Sequence, residues 1–376
     1  MKLFQCPIID YHASWIAFNP IIGCPFICKY CFLNEFGLTN INPRQVISPM
    51  DAVDKLVNYE KMVSDEIPIC FFTATDAFAS QDNIKYLKDC LILLDNKNII
   101  NPKIFITKCY VPDSFLQFVK ELEQKGHKFI FFISYSGIGN DIEQGINLKK
   151  TKDNFVNLKK NRLDIIHYFR PLLPGVHSLS KMVEIFEFVK NYANSSVVTG
   201  LKVQENMKPY LGFLGAPKFN FEKAVASESV WDAKIFKYVW EKSNFPTYSR
   251  FISTSCAVAN LLEIPDYNGF YGGMECSLCI CSSEQRERCK NVSLDHNELR
   301  KKLTILLKVV NLEKAKYKIF AKKRKIFLYD VTLTNSDFAF LTQNLKCKVM
   351  ASQKKGYYWG TSIQNNKVLK IRSNSD

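Results

Sequence analysis

Between residues 14 and 203, short apolar runs alternate with longer amphipathic stretches, and this alternation constrains the fold of the 376-residue chain more than any other feature. The runs are SWIAF (14–18), IPICFFT (67–73), PKIFIT (102–107), KFIFFIS (128–134), DIIHYF (164–169) and SVVTGLKV (196–203). Each is short and rich in Ile, Val and Phe, as strands covered on both faces are. Helical patterns lie between them, at about 83–95, 113–125, 152–161 and 179–192. An earlier helix opens at Ser48-Pro49, since proline in the first turn gives up only an N–H that has no partner there. Gly126 stands just past the 113–125 helix, where a left-handed cap belongs. Strands alternating with helices demand a parallel sheet, and right-handed crossovers leave an open sheet or a barrel. The expected class is α/β: a partial (β/α)6 TIM-like barrel, then a Cys-rich segment, then a small basic α+β domain. Its chemistry belongs at the C-terminal ends of the strands.

After residue 204 the alternation stops. A helix is expected at about 222–243, carrying Trp231 and Trp240, followed by a Cys-rich loop over 256–289. A helix at about 294–315, a strand at 325–331 (KIFLYDV) and a helix at 335–344 complete the pattern. The expected division is a barrel over 1–205, an extension over 206–292 and a basic domain over 293–376. Charge follows the same division. Residues 300–376 hold 18 Lys and Arg against 4 Asp and Glu, a net +14 of the total +15. A field so concentrated attracts polyanions, nucleic acid above all, and the tail is expected to hold one over the barrel mouth. Tyr317, Phe320, Phe327 and Tyr329 interleave with the lysines, and KKGYYWG (354–360) reads as an exposed loop. Aromatic faces stack on unpaired bases while lysines meet phosphates.

No run reaches the roughly 18 to 20 apolar residues of a membrane span, and the start lacks the apolar core of a signal peptide. A cytoplasmic location follows as the expectation, and in that reducing compartment thirteen cysteines ask for a metal or redox explanation. Three of them, Cys24, Cys28 and Cys31, stand in C-x3-C-x2-C spacing just after the first strand. A loop so spaced wraps three thiolates round one compact inorganic core. Zinc would need a fourth ligand, and no His or Cys follows within twenty residues of Cys31; His12 is poorly spaced.

This triplet, in its strand–loop–helix setting, resembles the radical S-adenosylmethionine superfamily over about residues 14–203. The resemblance implies a [4Fe–4S] cluster on three cysteines, its open iron chelating the methionine end of S-adenosylmethionine. Reduction then cleaves the sulfonium to methionine and a 5′-deoxyadenosyl radical that abstracts a substrate hydrogen, with flavodoxin or ferredoxin as reductant. Several further features resemble the spore photoproduct lyase-like branch: the NP-x2-GC lead-in, Tyr30 inside the triplet, Thr75 and Asp76 (TATDAF), Lys108 (FITK), Ser134 (FFIS) and Arg170 (RPLLPG). By that resemblance these are cofactor-binding residues, an ammonium meeting a carboxylate and hydroxyls orienting it. One departure stands out. The lyase carries a hydrogen-returning cysteine just before the Ser-Asp pair, where this chain has Ala74, and Cys70 lies in a strand that would bury it.

A second group, Cys276, Cys279, Cys281 and Cys289 with Cys256 as alternate, reads as an auxiliary [4Fe–4S] cluster, with structural zinc as the alternative. Arg286 and Arg288 lie in the same loop. Three functions follow: radical modification or repair of a nucleic acid, as a lyase or a modifying enzyme; radical modification of a peptide or protein; and a nonenzymatic iron–sulfur or zinc nucleic-acid-binding protein.

Overall fold

The computed structural model describes residues 8–173, 175–201, 203, 205–214, 248–251, 253–267, 281–292 and 294–354. The expected 222–243 helix with Trp231 and Trp240, the 268–280 part of the Cys-rich loop with Cys276 and Cys279, and nearly all of KKGYYWG lie outside them.

Eight strands form the main sheet: β1 (Ile9–Tyr11), β2 (Ile16–Phe18), β3 (Ile69–Phe71), β4 (Lys103–Thr107), β5 (Phe129–Ser134), β6 (Asp164–Leu172), β7 (Ser195–Gly200) and β8 (Arg250–Phe251). They are hydrogen-bonded in that order. β1 runs antiparallel to β2, and every later neighbour is parallel. All six expected strands are present, as β2 to β7. β1 and β8 add an antiparallel edge and a seventh parallel strand that three and two residues were too short to announce. Tyr267 Oη donates to the Ser14 carbonyl at 2.8 Å, and Ser14 and Thr254 share a hydroxyl–hydroxyl bond. These bonds draw the chain after β8 back to the start of β2, so the sheet curls as a partial barrel.

Helices cover the sheet: α1 (Pro49–Val57), α2 (Gln81–Asn96), α3 (Asp113–Gln124), α4 (Leu148–Lys160) and α5 (Leu179–Val189). Four have side-chain N-caps: Ser48, Ser80, Asn147 and Ser178 each accept a backbone N–H three residues on. Gly126 has the left-handed φ of +92° expected at the end of α3. All six residues of β5 are buried, and Phe71, Phe105, Phe115 and Phe131 interlock around the strand centres with ring centroids 5.2–5.7 Å apart. Truncating one of these rings would cost about 3–5 kcal/mol.

The later elements are α6 (Thr254–Leu261), α7 (Ser283–Lys290), α8 (His296–Val309), β9 (Lys316–Phe320), β10 (Lys325–Leu333), α9 (Asn335–Leu345) and β11 (Lys348–Lys354). One buried apolar cluster runs from the main sheet into α8, α9, β10 and β11. α9 is clamped to the barrel by polar contacts. Gln343 donates to the His12 carbonyl at 2.6 Å and Asn344 to Tyr11 Oη at 3.1 Å, while Lys61 pairs with Asp337 at 2.7 Å and Lys346 with Glu66 at 2.8 Å. Tyr11, His12, Lys61 and Glu66 all precede β2 or β3. The described part of the basic piece therefore sits at the N-terminal ends of the parallel strands, opposite the triplet. This corrects the expectation that it lies over the mouth: α9 is buried on nearly every side, and its docking depends on polar partners that no apolar periodicity reveals. Among the described residues, no helix is long and apolar enough to cross a membrane.

Candidate active site

The triplet lies in the loop that follows β2, at the C-terminal end of the sheet. Its backbone is tied down from several sides. Cys24 N donates to the Leu38 carbonyl at 2.8 Å, and Cys31 N to the Cys28 carbonyl at 2.9 Å. Asn34 Nδ2 donates to the carbonyls of Cys28 (3.0 Å) and Lys29 (3.2 Å), and its Oδ1 accepts from Thr39 Oγ1 at 2.6 Å. Ile27 and Cys28 pair antiparallel with Gln144 and Glu143 of the loop after β5. That pairing brings a residue the motif does not contain into the site.

Glu143 is buried, and its Oε1 accepts from Lys108 Nζ at 2.8 Å and from Tyr30 Oη. Lys108 Nζ also stands 6.0 Å from the centre of the Tyr30 ring. Two expected residues, Tyr30 and Lys108, thus meet through a third that was not expected. Burial alone would pull the Lys108 ammonium down, but Glu143 and the Cys28 thiol outweigh it and hold it above its ordinary value. Burial pushes the Tyr30 hydroxyl well up, and Glu143 pushes it further.

Asp76 has a different part. Its Oδ1 accepts from Phe78 N (2.9 Å) and Thr107 Oγ1 (2.8 Å), and its Oδ2 from Thr107 Oγ1 (3.0 Å) and Lys108 N (2.8 Å). Three donors, Phe78 N, Thr107 Oγ1 and Lys108 N, thus hold both carboxylate oxygens within the protein. Asp76 therefore splices the end of β3 to the end of β4 and fixes where Lys108 leaves the sheet. Arg170, on β6, donates to Tyr168 Oη at 2.6 Å and lies over that ring. Ser134 ends β5, buried, in register with Tyr168. His177 donates to the Ser136 carbonyl at 3.1 Å and accepts from Leu173 N at 3.0 Å, locking the turn after β6 to the loop after β5.

Three hydroxyls at this end of the sheet are buried without a partner: Thr75 Oγ1, Ser136 Oγ and Thr199 Oγ1, beyond or near the ends of β3, β5 and β7. Leaving such a group unpaired costs about 1–3 kcal/mol, so each is ready for a ligand or water. A cleft of about 440 Å³ opens beside the triplet, lined by Phe26, Phe78, Lys108, Cys109, Asn147 and Lys150 among others. It joins Lys108 to the triplet loop but does not include Ser134, Thr75 or Arg170.

The three thiols are half-exposed and close enough to raise one another. Burial pushes each up to about 12; Lys108 draws Cys28 and Cys31 partly back, and Arg170 acts on Cys31 in the same sense. Among the described residues, no three His, Cys, Asp or Glu gather as round a single ion. Three thiols in a short tethered loop, cations beside them and orphaned hydroxyls near by fit an iron–sulfur cube with an anionic ligand. One consequence is measurable without metal. At pH 8 the metal-free triplet should alkylate more slowly than an ordinary exposed thiol, with the rate rising as the pH is raised. Rapid alkylation at pH 8 would show that burial does not hold these protons.

The second cysteine group is divided. Cys256 lies on α6, Cys281 precedes α7 and Cys289 ends it; Cys276 and Cys279 lie outside the described residues. Cys289 Sγ accepts from Asp266 N at 3.3 Å and from Gln285 Nε2 at 3.6 Å. Asp266 in turn accepts from Ser255 Oγ at 2.9 Å, next to the Ser14–Thr254 seam. Arg288 reaches Glu263 at 3.6 Å rather than a cysteine.

No family model and no curated protein matches the chain. Among solved structures it is similar to spore photoproduct lyase complexed with dinucleoside spore photoproduct (12% identity, TM-score 0.48, covering 63% of this chain and 75% of that one). It is also similar to Streptococcus suis SuiB bound to S-adenosylmethionine (11%, 0.38, 64% and 58%). A third is the radical S-adenosylmethionine methyltransferase TsrM from Kitasatospora setae, with tryptophan substrate and a cofactor analogue bound (12%, 0.37, 50% and 36%). By its cysteine triplet and the residues at its parallel strand ends, the chain resembles the radical S-adenosylmethionine superfamily, in its spore photoproduct lyase-like branch.

Proposed function

We propose that this chain is a radical S-adenosylmethionine enzyme acting on a nucleic acid. The observation that carries the reading is the tethered triplet at the end of β2 with the buried Lys108–Glu143 pair against Cys28. Cys24, Cys28 and Cys31 would hold a [4Fe–4S] cluster, leaving one iron for the cofactor. Such a cluster, when bound and reduced, would supply the electron for reductive cleavage of S-adenosylmethionine.

The protein's own part is positioning. Lys108 has donors to spare beyond the one given to Glu143, and meets the cofactor carboxylate. Glu143 holds Lys108 and Tyr30 in place, with a second oxygen for the methionine ammonium. Asp76 fixes the root of Lys108, Thr75 and Ser134 offer hydroxyls, and Arg170 adds positive charge beside Cys31. The wall of Phe26 and Phe78 keeps water from a reactive intermediate. A second metal would be held by Cys276, Cys279, Cys281 and Cys289 of the C-x2-C-x-C-x7-C run, with Cys256 as alternate. Cys289 is linked through Asp266 to Ser255, beside the Ser14–Thr254 seam, so such a metal would staple the extension to the barrel. The net +14 of residues 300–376 supports nucleic acid as the substrate class.

Anaerobic reconstitution tests the reading. The reduced protein should give a [4Fe–4S] paramagnetic signal that shifts when S-adenosylmethionine is added. A Cys24→Ala/Cys28→Ala/Cys31→Ala variant should lose that signal and about four irons per chain, while keeping the second site's metal, iron or zinc. A signal unmoved by the cofactor would remove the open iron from the account.

A further inference from the structure

The C-terminal three-stranded sheet turns one face to α9 and the other away. The β9–β10 register sets Lys316 opposite Tyr329, Lys318 opposite Phe327 and Phe320 opposite Lys325. The β10–β11 register sets Lys325 beside Lys348 and Phe327 beside Met350. Side chains alternate along a strand and paired residues share a face, so these eight form one surface. Ile326, Leu328 and Val349 are buried on the other face, with Tyr317 and Ile319 packed against the core.

The outward surface is unlike a solvated sheet face. Its four lysines are exposed and its three aromatic rings half-exposed, outside the apolar core, and none of the eight positions is acidic. Phe320 and Phe327 meet edge to face at 5.5 Å, and Lys318 Nζ stands 5.2 Å over the Phe320 ring. Four ammonium groups without a carboxylate among them repel one another until an anion arrives. Rings presented between lysines suit a ligand that alternates flat apolar groups with negative charges. A single-stranded nucleic acid is such a ligand, whereas a duplex keeps its bases stacked inside.

We propose that this face binds single-stranded nucleic acid, with bases stacked on the aromatic rings and phosphates against Lys316, Lys318, Lys325 and Lys348. The proposal deepens the nucleic-acid reading above and rests on it. Since α9 docks at the N-terminal ends of the barrel strands, the face is an exosite that holds the strand away from the cleft.

The test is fluorescence anisotropy on the intact reconstituted protein, with a dye-labelled single strand and a duplex of equal length at two salt concentrations. The single strand should bind at least tenfold tighter than the duplex. Phe327→Leu/Tyr329→Leu keeps apolar bulk but removes the π faces. It should weaken single-strand binding tenfold to a hundredfold, without changing the salt slope or the uncoupled release of 5′-deoxyadenosine. Lys318→Ala should instead flatten the slope by roughly 0.7. Equal affinity for the duplex, unchanged binding by the leucine variant, or equal displacement by polyglutamate would each overturn the stacking platform and leave charge alone. An intact protein that binds neither probe would overturn the nucleic-acid reading itself.

Discussion

The Cys28→Ala variant should release 5′-deoxyadenosine only at background level, while folding as the parent does. On the proposed reading the loss is large because a cube resting on two thiolates would lack a corner of its support, and no Cys or His follows the triplet within twenty residues. The fold should survive, because Cys28 is half-exposed and its neighbours are held through its backbone: by pairing with Glu143 and by Asn34. Cys70→Ala is the matching control. That thiol is fully buried in β3, where it acts as a small apolar side chain. Its removal should lower stability by a kcal/mol or so, through a small cavity, and leave cofactor cleavage unchanged. Equal activity in both variants would mean that the triplet is not the cluster's seat.

The second large effect is expected at Lys108, and it needs a paired experiment. On the proposed reading, Lys108→Ala would remove a charge-assisted contact to the cofactor and should weaken its binding about tenfold to a hundredfold, without removing iron. It also strands Glu143, which is nearly fully buried, and breaking a buried pair costs about 3–5 kcal/mol. A poorly folded variant would mimic a binding defect. Lys108→Met/Glu143→Gln removes both charges at similar volume, so its melting temperature should recover most of the loss while cofactor affinity stays low. Affinity that returns with stability would reduce Lys108 to a structural partner of Glu143. Asp76→Asn should resemble Lys108→Ala in a milder form, because it disturbs the turn from which Lys108 projects.

Much of this was legible in the residues. The six strands were readable because a strand buried on both faces is a continuous apolar run. The helices were readable because their apolar residues recur with helical spacing between the strands, and the first opens at Ser48-Pro49. The triplet stands out by its C-x3-C-x2-C spacing. What could not be read was set by distant packing. Glu143 sits in a loop between Gly139 and Gly145, 35 residues from Lys108, and only the pairing of that loop with Ile27 and Cys28 brings it to the site. Asp76 was legible as a functional position, but its hydrogen bonds to Thr107 and Lys108 cross two strands. The expected boundary near 290 follows a change in composition, whereas the apolar core passes through it, from the main sheet to Leu299, Leu303 and Phe340. The place of the basic piece depends on Gln343, Asn344, Lys346 and Asp337, polar residues that read as surface until their partners on the barrel are known.

Quantifying 5′-deoxyadenosine tests the central claim most directly. The wild-type protein, reconstituted anaerobically with iron and sulfide, is reduced in the presence of S-adenosylmethionine, with and without single-stranded nucleic acid, and the product is measured by mass spectrometry. Release that depends on reductant and on Cys28, and that rises with nucleic acid, is the predicted result. Reduced protein with a full complement of iron that leaves S-adenosylmethionine intact, with nucleic acid or peptide present or absent, would contradict it.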